Sequence, residues 1–116
     1  NKEVLDFFIQ KTHQIILACL KENIIDPGFG FSKTITQNFT LLKNLSIFKM
    51  LQMPIMAGLS RKSSIYKTLD IPVEDSVNGT TVLHTMALQN GADILRVHDV
   101  KEAKEAVTLF VAYGKA

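Results

Sequence analysis

A chain of 116 residues with 47% apolar and 21% charged side chains has the make-up of one ordinary globular domain, which excludes a disordered tail. Its 13 Lys and Arg against 11 Asp and Glu leave a formal charge of +2, too small an excess to imply nucleic acid or an anionic membrane as partner. The longest apolar run, residues 15–20, falls far short of the ~20 residues that cross a bilayer.

Residues 3–22 read as an amphipathic helix, with Leu5, Phe8, Ile9, Thr12, Ile16 and Leu20 at helical spacing. Lys, Glu, Asp and Gln interrupt its apolar positions, so it does not read as a signal peptide. The sole cysteine, Cys19, offers no internal disulfide and no cysteine metal site, and a cytoplasmic setting is expected. Ile24-Ile25 reads as a brief buried strand that Asp26-Pro27-Gly28 ends in a shaped loop. A second helix is predicted over residues 36–51, capped by Thr36.

The run over residues 54–60 is apolar throughout, as a strand covered on both faces must be. Ser63 or Ser64 can cap a short helix to Leu69, and a polar connection over 70–75 leads to a helix over 77–89 that Asn90-Gly91 stops. A third strand is predicted over 93–98. The last helix covers 100–112, with Ala103, Ala106, Val107, Phe110 and Val111 facing inward. Met50, Met53, Met56 and Met86 read as core filler, and His13 and His84 as ordinary helix residues.

Helices alternating with buried strands call for a parallel sheet with crossover helices. A doubly wound open sheet and a piece of a (β/α)₈ barrel both fit. A barrel uses ~250 residues, roughly 31 per βα unit, so this chain holds a little under four units. Because it starts on a helix, the back part of a larger barrel is expected.

Each strand carries its unusual polar residues at its C-terminal end, where parallel α/β folds bind ligands. These are Asp26, the run Ser60-Arg61-Lys62-Ser63, and Arg96, His98 and Asp99. Arg96 and His98 share one side of a strand that otherwise reads as buried, an arrangement suited to an anion. The alternatives are plain: Asp26 as a turn former, the Ser-Arg-Lys-Ser run as a solvated loop, and Arg96 or His98 paired with Asp99 or another acid. Gly28-Phe-Gly30-Phe-Ser-Lys33-Thr34 lacks the glycines that a phosphate loop or a dinucleotide fingerprint requires. Three Asn-X-Ser/Thr matches, at Asn38, Asn44 and Asn78, carry little weight without signs of secretion.

Asp26-Pro-Gly-Phe-Gly-Phe-Ser-Lys33, Gly58-Leu-Ser-Arg-Lys-Ser63 and Arg96-Val-His-Asp99 together resemble the dihydropteroate synthase family, the sulfonamide target of folate biosynthesis. The resemblance covers nearly the whole chain and implies a partial TIM (β/α)₈ barrel, roughly strands six to eight with their helices. It implies condensation of 4-aminobenzoate with 6-hydroxymethyl-7,8-dihydropterin pyrophosphate to give 7,8-dihydropteroate and pyrophosphate, assisted by Mg²⁺ held mainly outside these residues. By the same resemblance Asp26 meets the pterin ring edge, and Lys62 its polar atoms. Phe31 packs on the aminobenzoate ring. Ser63 receives the aminobenzoate carboxylate at a helix start, and Arg96 and His98 hold the pyrophosphate. Gly58 belongs to the same substrate loop, and Arg61 either supports that loop or screens the anions. A homodimer contact through residues 64–90 or 100–113 also follows from the resemblance.

The family's remaining pterin-binding residues belong to a front half to which nothing here corresponds, so residues 1–116 alone are expected to be inactive. Another pterin-binding barrel, of the methyltetrahydrofolate methyltransferase type, has no use for the Ser-Arg-Lys-Ser loop or the Arg/His pair. A non-catalytic assembly module is the alternative of a different class.

Overall fold

The computed structural model describes residues 24–30 and 33–116. The helix predicted over 3–22, with His13 and Cys19, lies outside the described residues, as does Phe31. In chain order the elements are α1 (Ile35–Lys43), a 3₁₀ helix (Leu45–Leu51), β1 (Met56–Ala57), α2 (Ser63–Leu69), a 3₁₀ turn (Val73–Asp75), α3 (Val77–Gln89), β2 (Ile94–Leu95) and α4 (Val100–Gly114).

β1 and β2 are parallel, with Met56 opposite Ile94 and Ala57 opposite Leu95. On the other edge of β1, Ile25 makes a parallel bridge with Ile55. The Ile25 N–H donates to the Pro54 carbonyl (2.8 Å), and the Ile25 carbonyl accepts from Met56 (2.7 Å). Three chain segments thus lie side by side in sequence order with helices between them, so all three C-terminal ends fall together.

The paired stretches are shorter than the apolar runs, because side chains take over the ladder at both ends. Before β1, the Ile55 N–H donates to Asp93 Oδ2 (3.0 Å). Past β2, Arg96 N–H still reaches the Ala57 carbonyl (3.0 Å), but His98 N–H donates to Ser60 Oγ (3.2 Å). The strands predicted over 54–60 and 93–98 are corrected accordingly.

The core is one cluster in which Ile25, Leu41, Leu45, Phe48, Ile55 and Ala57 are fully buried. α1 and the 3₁₀ helix contribute Leu41, Leu45 and Phe48, and α3 adds Leu83 and Ala87. The predicted single helix over 36–51 is in fact two. Its cap is Thr34 rather than Thr36: Thr34 Oγ1 accepts from Gln37 N–H (3.1 Å) and Gln37 Oε1 from Thr34 N–H (2.9 Å), a capping box. α1 stops at Asn44, whose side chain donates back to the Thr40 carbonyl (2.9 Å), while Asn90 Nδ2 takes the Leu42 carbonyl (2.9 Å). The Thr40 carbonyl also takes the Asn44 main-chain N–H (3.1 Å), so the two asparagine side chains add bonds to carbonyls of the helix's last turn.

α2 begins at Ser63 with Lys62 in the cap position and no side-chain cap, so neither serine caps it. α3 runs as predicted, and Gly91 follows it at φ +106°. Met50 and Met86 are exposed rather than core residues. On α4 only Ala103 and Ala106 are buried, whereas Val107 and Val111 are exposed. Ala106 lines the groove against α3, and Ala103 lies by β2 with Leu95 and Val97. His84 is buried in α3.

Candidate functional site

The site is built from the three loops that leave the strand ends. In the first, Asp26 Oδ1 accepts the Gly28 N–H (3.1 Å), closing a turn. Gly30 has φ +91°, a conformation that favours glycine, and its N–H donates to buried Asn38 Oδ1 on α1 (2.8 Å). Lys33 Nζ donates to the Gly28 carbonyl (2.8 Å). The Lys62 side chain crosses this loop at Gly30, where a Cβ would stand 3.1 Å from Lys62 Cδ and 3.5 Å from Nζ.

In the second loop, Arg61 turns through φ +55°, and its N–H donates to Thr80 Oγ1 of α3 (3.0 Å). In the third, Arg96 donates from Nη1 to Asp26 Oδ2 (3.0 Å), and the His98 ring Nδ1 lies 2.8 Å from Ser60 Oγ. Asp99 takes two bonds from Arg61, Nε to Oδ2 at 3.1 Å and Nη2 to Oδ1 at 2.6 Å. These charge-assisted bonds hold the Asp99 carboxyl below the usual carboxylate range, and the Arg61 guanidinium is raised in turn. Behind them, burial pushes the His84 imidazole down, against a weaker upward pull from Asp99.

Gly58, Ser60, Lys62, Arg96, Val97 and His98 line a single open cleft of about 230 Å³. Lys62, Arg96 and His98 therefore meet around one space, with Asp26 attached through Arg96. Gly58 is there for lack of a side chain, since a Cβ would come within 2.6 Å of Arg96 Nη2. Arg61 is directed to Asp99 and does not line the cleft. Ser63 opens α2 next to Lys62 without lining the cleft. Arg96 and His98 lie past the paired strand and are exposed, so the buried setting expected of them is corrected. The acid facing Arg96 is Asp26, not Asp99.

Asn38 and Thr80 support the loops without any sequence signal for that role, and Ser60, named above only within its polar run, supports His98. For Ser60 a signal existed: residues 58, 60 and 62 alternate along one strand as 94, 96 and 98 do along the next. A wider groove of about 430 Å³ runs between α3 and α4, lined by Thr81, Glu102 and Tyr113 among others, and holds none of the strand-end cations. Among the described residues no three His, Cys, Asp or Glu side chains converge as metal ligands, and no helix is long and apolar enough to cross a membrane.

A parallel sheet whose C-terminal loops gather an acid, two fixed cations and a histidine around one cleft is the setting of a ligand-binding barrel. The chain belongs to the pterin-binding enzyme family, whose model matches residues 1–98. Within that family it is similar to dihydropteroate synthases. The Haemophilus influenzae enzyme is 41% identical over 117 residues, covering 99% of this chain and 42% of its own length. The Synechocystis one is 51% identical over 79 residues, covering 67% of this chain and 27% of its own.

The dihydropteroate synthase of Yersinia pestis superposes with a TM-score of 0.82 at 35% identity, over 99% of this chain and 55% of that one. The Coxiella burnetii enzyme, solved in complex with pteroic acid, gives 0.84 at 33% identity, over 95% and 45%. The chain thus spans less than half the length of the curated relatives it matches. Its fold is a partial (β/α)₈ barrel, and the doubly wound alternative is set aside.

Proposed function

We propose that this chain supplies the anion- and pterin-holding side of a dihydropteroate synthase, a transferase joining 4-aminobenzoate to 6-hydroxymethyl-7,8-dihydropterin pyrophosphate. The observation that carries the reading is the single cleft shared by Gly58, Lys62, Arg96 and His98, with Asp26 paired to Arg96 at its border. The likeness to synthases of several bacteria supports it, one of which holds pteroic acid.

In this reading the Asp26–Arg96 pair is a resting arrangement. It is partly exposed, and such pairs contribute about 0–1 kcal/mol, so a ligand separates them at little cost. Asp26 then accepts the adjacent N–H donors of the pterin edge, and Arg96 turns to the pyrophosphate. Lys62, held across Gly30, stands between the two loops to meet the pterin's polar atoms. Phe31 and Ser63 are assigned to 4-aminobenzoate, its ring and its carboxylate.

Departure of pyrophosphate builds negative charge on the leaving oxygen. Lys62, Arg96 and His98 act most strongly on that developing charge, which lowers the barrier beyond what they give to substrate binding. The electron-poor pterin methylene, its C–O bond to pyrophosphate broken, then accepts the arylamine lone pair. The resulting ammonium passes its proton to water, so no strong base is needed. Mg²⁺ enters only as a companion of the pyrophosphate. The described residues do not assemble a site for it. A homodimer and a cytoplasmic location complete the proposal.

Titration calorimetry of pterin pyrophosphate on the intact protein, alongside turnover, tests the reading. Lys62→Ala and Arg96→Ala are each expected to weaken binding and to lower kcat. Tight binding with no pteroate formed by the unaltered protein would instead favour a binding module.

A further inference from the structure

Ser60 is almost completely buried, and its hydroxyl touches His98 twice. It accepts the His98 main-chain N–H at 3.2 Å and lies 2.8 Å from the ring Nδ1. A serine hydroxyl has one hydrogen to give and two lone pairs to fill. One lone pair already takes the main-chain N–H. Among the described residues no acceptor other than Nδ1 takes the hydroxyl hydrogen. Were Nδ1 protonated, that hydrogen would be buried without a partner, which is the costlier state.

We infer that Ser60 is the positioning residue of His98, holding the neutral ring with Nδ1 bare and the proton on Nε2. Which imidazole nitrogen is protonated is set by the bond the other makes. On the proposed function, on which this rests, the cleft's third group has a definite task. A phosphate oxygen only accepts, so the nitrogen offered to it must bear hydrogen. Nε2–H serves as a directed donor, while Lys62 and Arg96 supply the charge.

The arrangement is reinforced from the next residue along. Arg61 follows Ser60 and Asp99 follows His98, and their two-bond pair joins the same two loops. Hydroxyl and ring are thereby held at a fixed separation before any ligand arrives. The main-chain bond removes a further freedom, because one oxygen fixes both the backbone and the ring of His98.

Selective ¹⁵N-histidine labelling of the intact protein reads the ring directly, with the His98 signals assigned by their loss in His98→Gln. At pH 8, His98 is expected to show a bare Nδ1 and a protonated Nε2. Ser60→Ala should bring the two nitrogen shifts together as the tautomers mix, and Ser60→Thr should keep them apart. In turnover, Ser60→Ala should lower kcat/KM for the pterin pyrophosphate about tenfold with the KM for 4-aminobenzoate unchanged, and Ser60→Thr should restore it.

An unaltered protein with its His98 proton on Nδ1 overturns the inference without any variant having to fold. A Ser60→Ala spectrum identical to the parent's overturns it equally. If the tautomer responds as expected while His98→Gln turns over normally, Ser60's hold on the ring stands and the use of His98 in the proposed reaction falls.

Discussion

At Gly58 the missing side chain is filled by another residue, because the Arg96 guanidinium lies where a Cβ would be, 2.6 Å from Nη2. The end of a long side chain moves easily, so Gly58→Ala should cost little stability while displacing the cation. Binding of pterin pyrophosphate is expected to weaken about tenfold with the melting temperature nearly unchanged, read by calorimetry and a thermal scan. His84 works the other way, on stability and not on the ligand. Its Nε2 is buried with no hydrogen-bond partner among the described residues, and burial pushes its pKa down. An unfolded histidine titrates near 6.5, so the fold is at full strength above that pH and loses stability below it, until the folded value is reached. His84→Leu should flatten the dependence of melting temperature on pH as pH falls below about 6.5. Asp99, held low by Arg61, acts in a separate window. Its contribution is complete above the ordinary aspartate pKa and fades as pH falls through the lower folded value.

At the scale of elements, α1 depends on its capping box. Thr34→Ala removes the acceptor for Gln37 N–H and should cost about 1 kcal/mol in denaturant titration. α3 and α2 meet at Gly79, where an added methyl would lie 2.5 Å from Ile65 Cγ2. Gly79→Ala should therefore destabilise by about 1–3 kcal/mol, as overpacking does, with the substrate KM values unmoved. α3 was legible from end to end because its periodicity finishes at an Asn-Gly stop. The break between α1 and the 3₁₀ helix was not, since apolar spacing continues across Asn44, and the Asn90 bond to Leu42 comes from 48 residues away. Likewise, alternation along the strands brings Lys62, Arg96 and His98 to one end. The partner of Arg61 depends on how two loops fold over each other, which spacing does not record.

Across the whole molecule, the apolar surface is too large for the described residues to cover. Met50, Leu109 and Tyr113 are each more than 70% exposed, and Leu95, Val97 and Val100 line a groove beside β2, whose far edge pairs with no strand among the described residues. Residues 1–116 expressed alone are expected to form no dihydropteroate, and product above background in a coupled assay would contradict this.

The sheet also divides labour between its ends. At the N-terminal end, Asp93 binds the Ile55 N–H and faces Lys49, where a change should alter stability and spare the ligand. At the C-terminal end, the Arg61–Asp99 bridge joins two loops whose next-door residues line the cleft. Inheritance should treat these two positions as one trait. A lineage that discards the guanidinium leaves the Asp99 carboxylate without its two-bond partner beside the cleft, so losses there should travel in pairs.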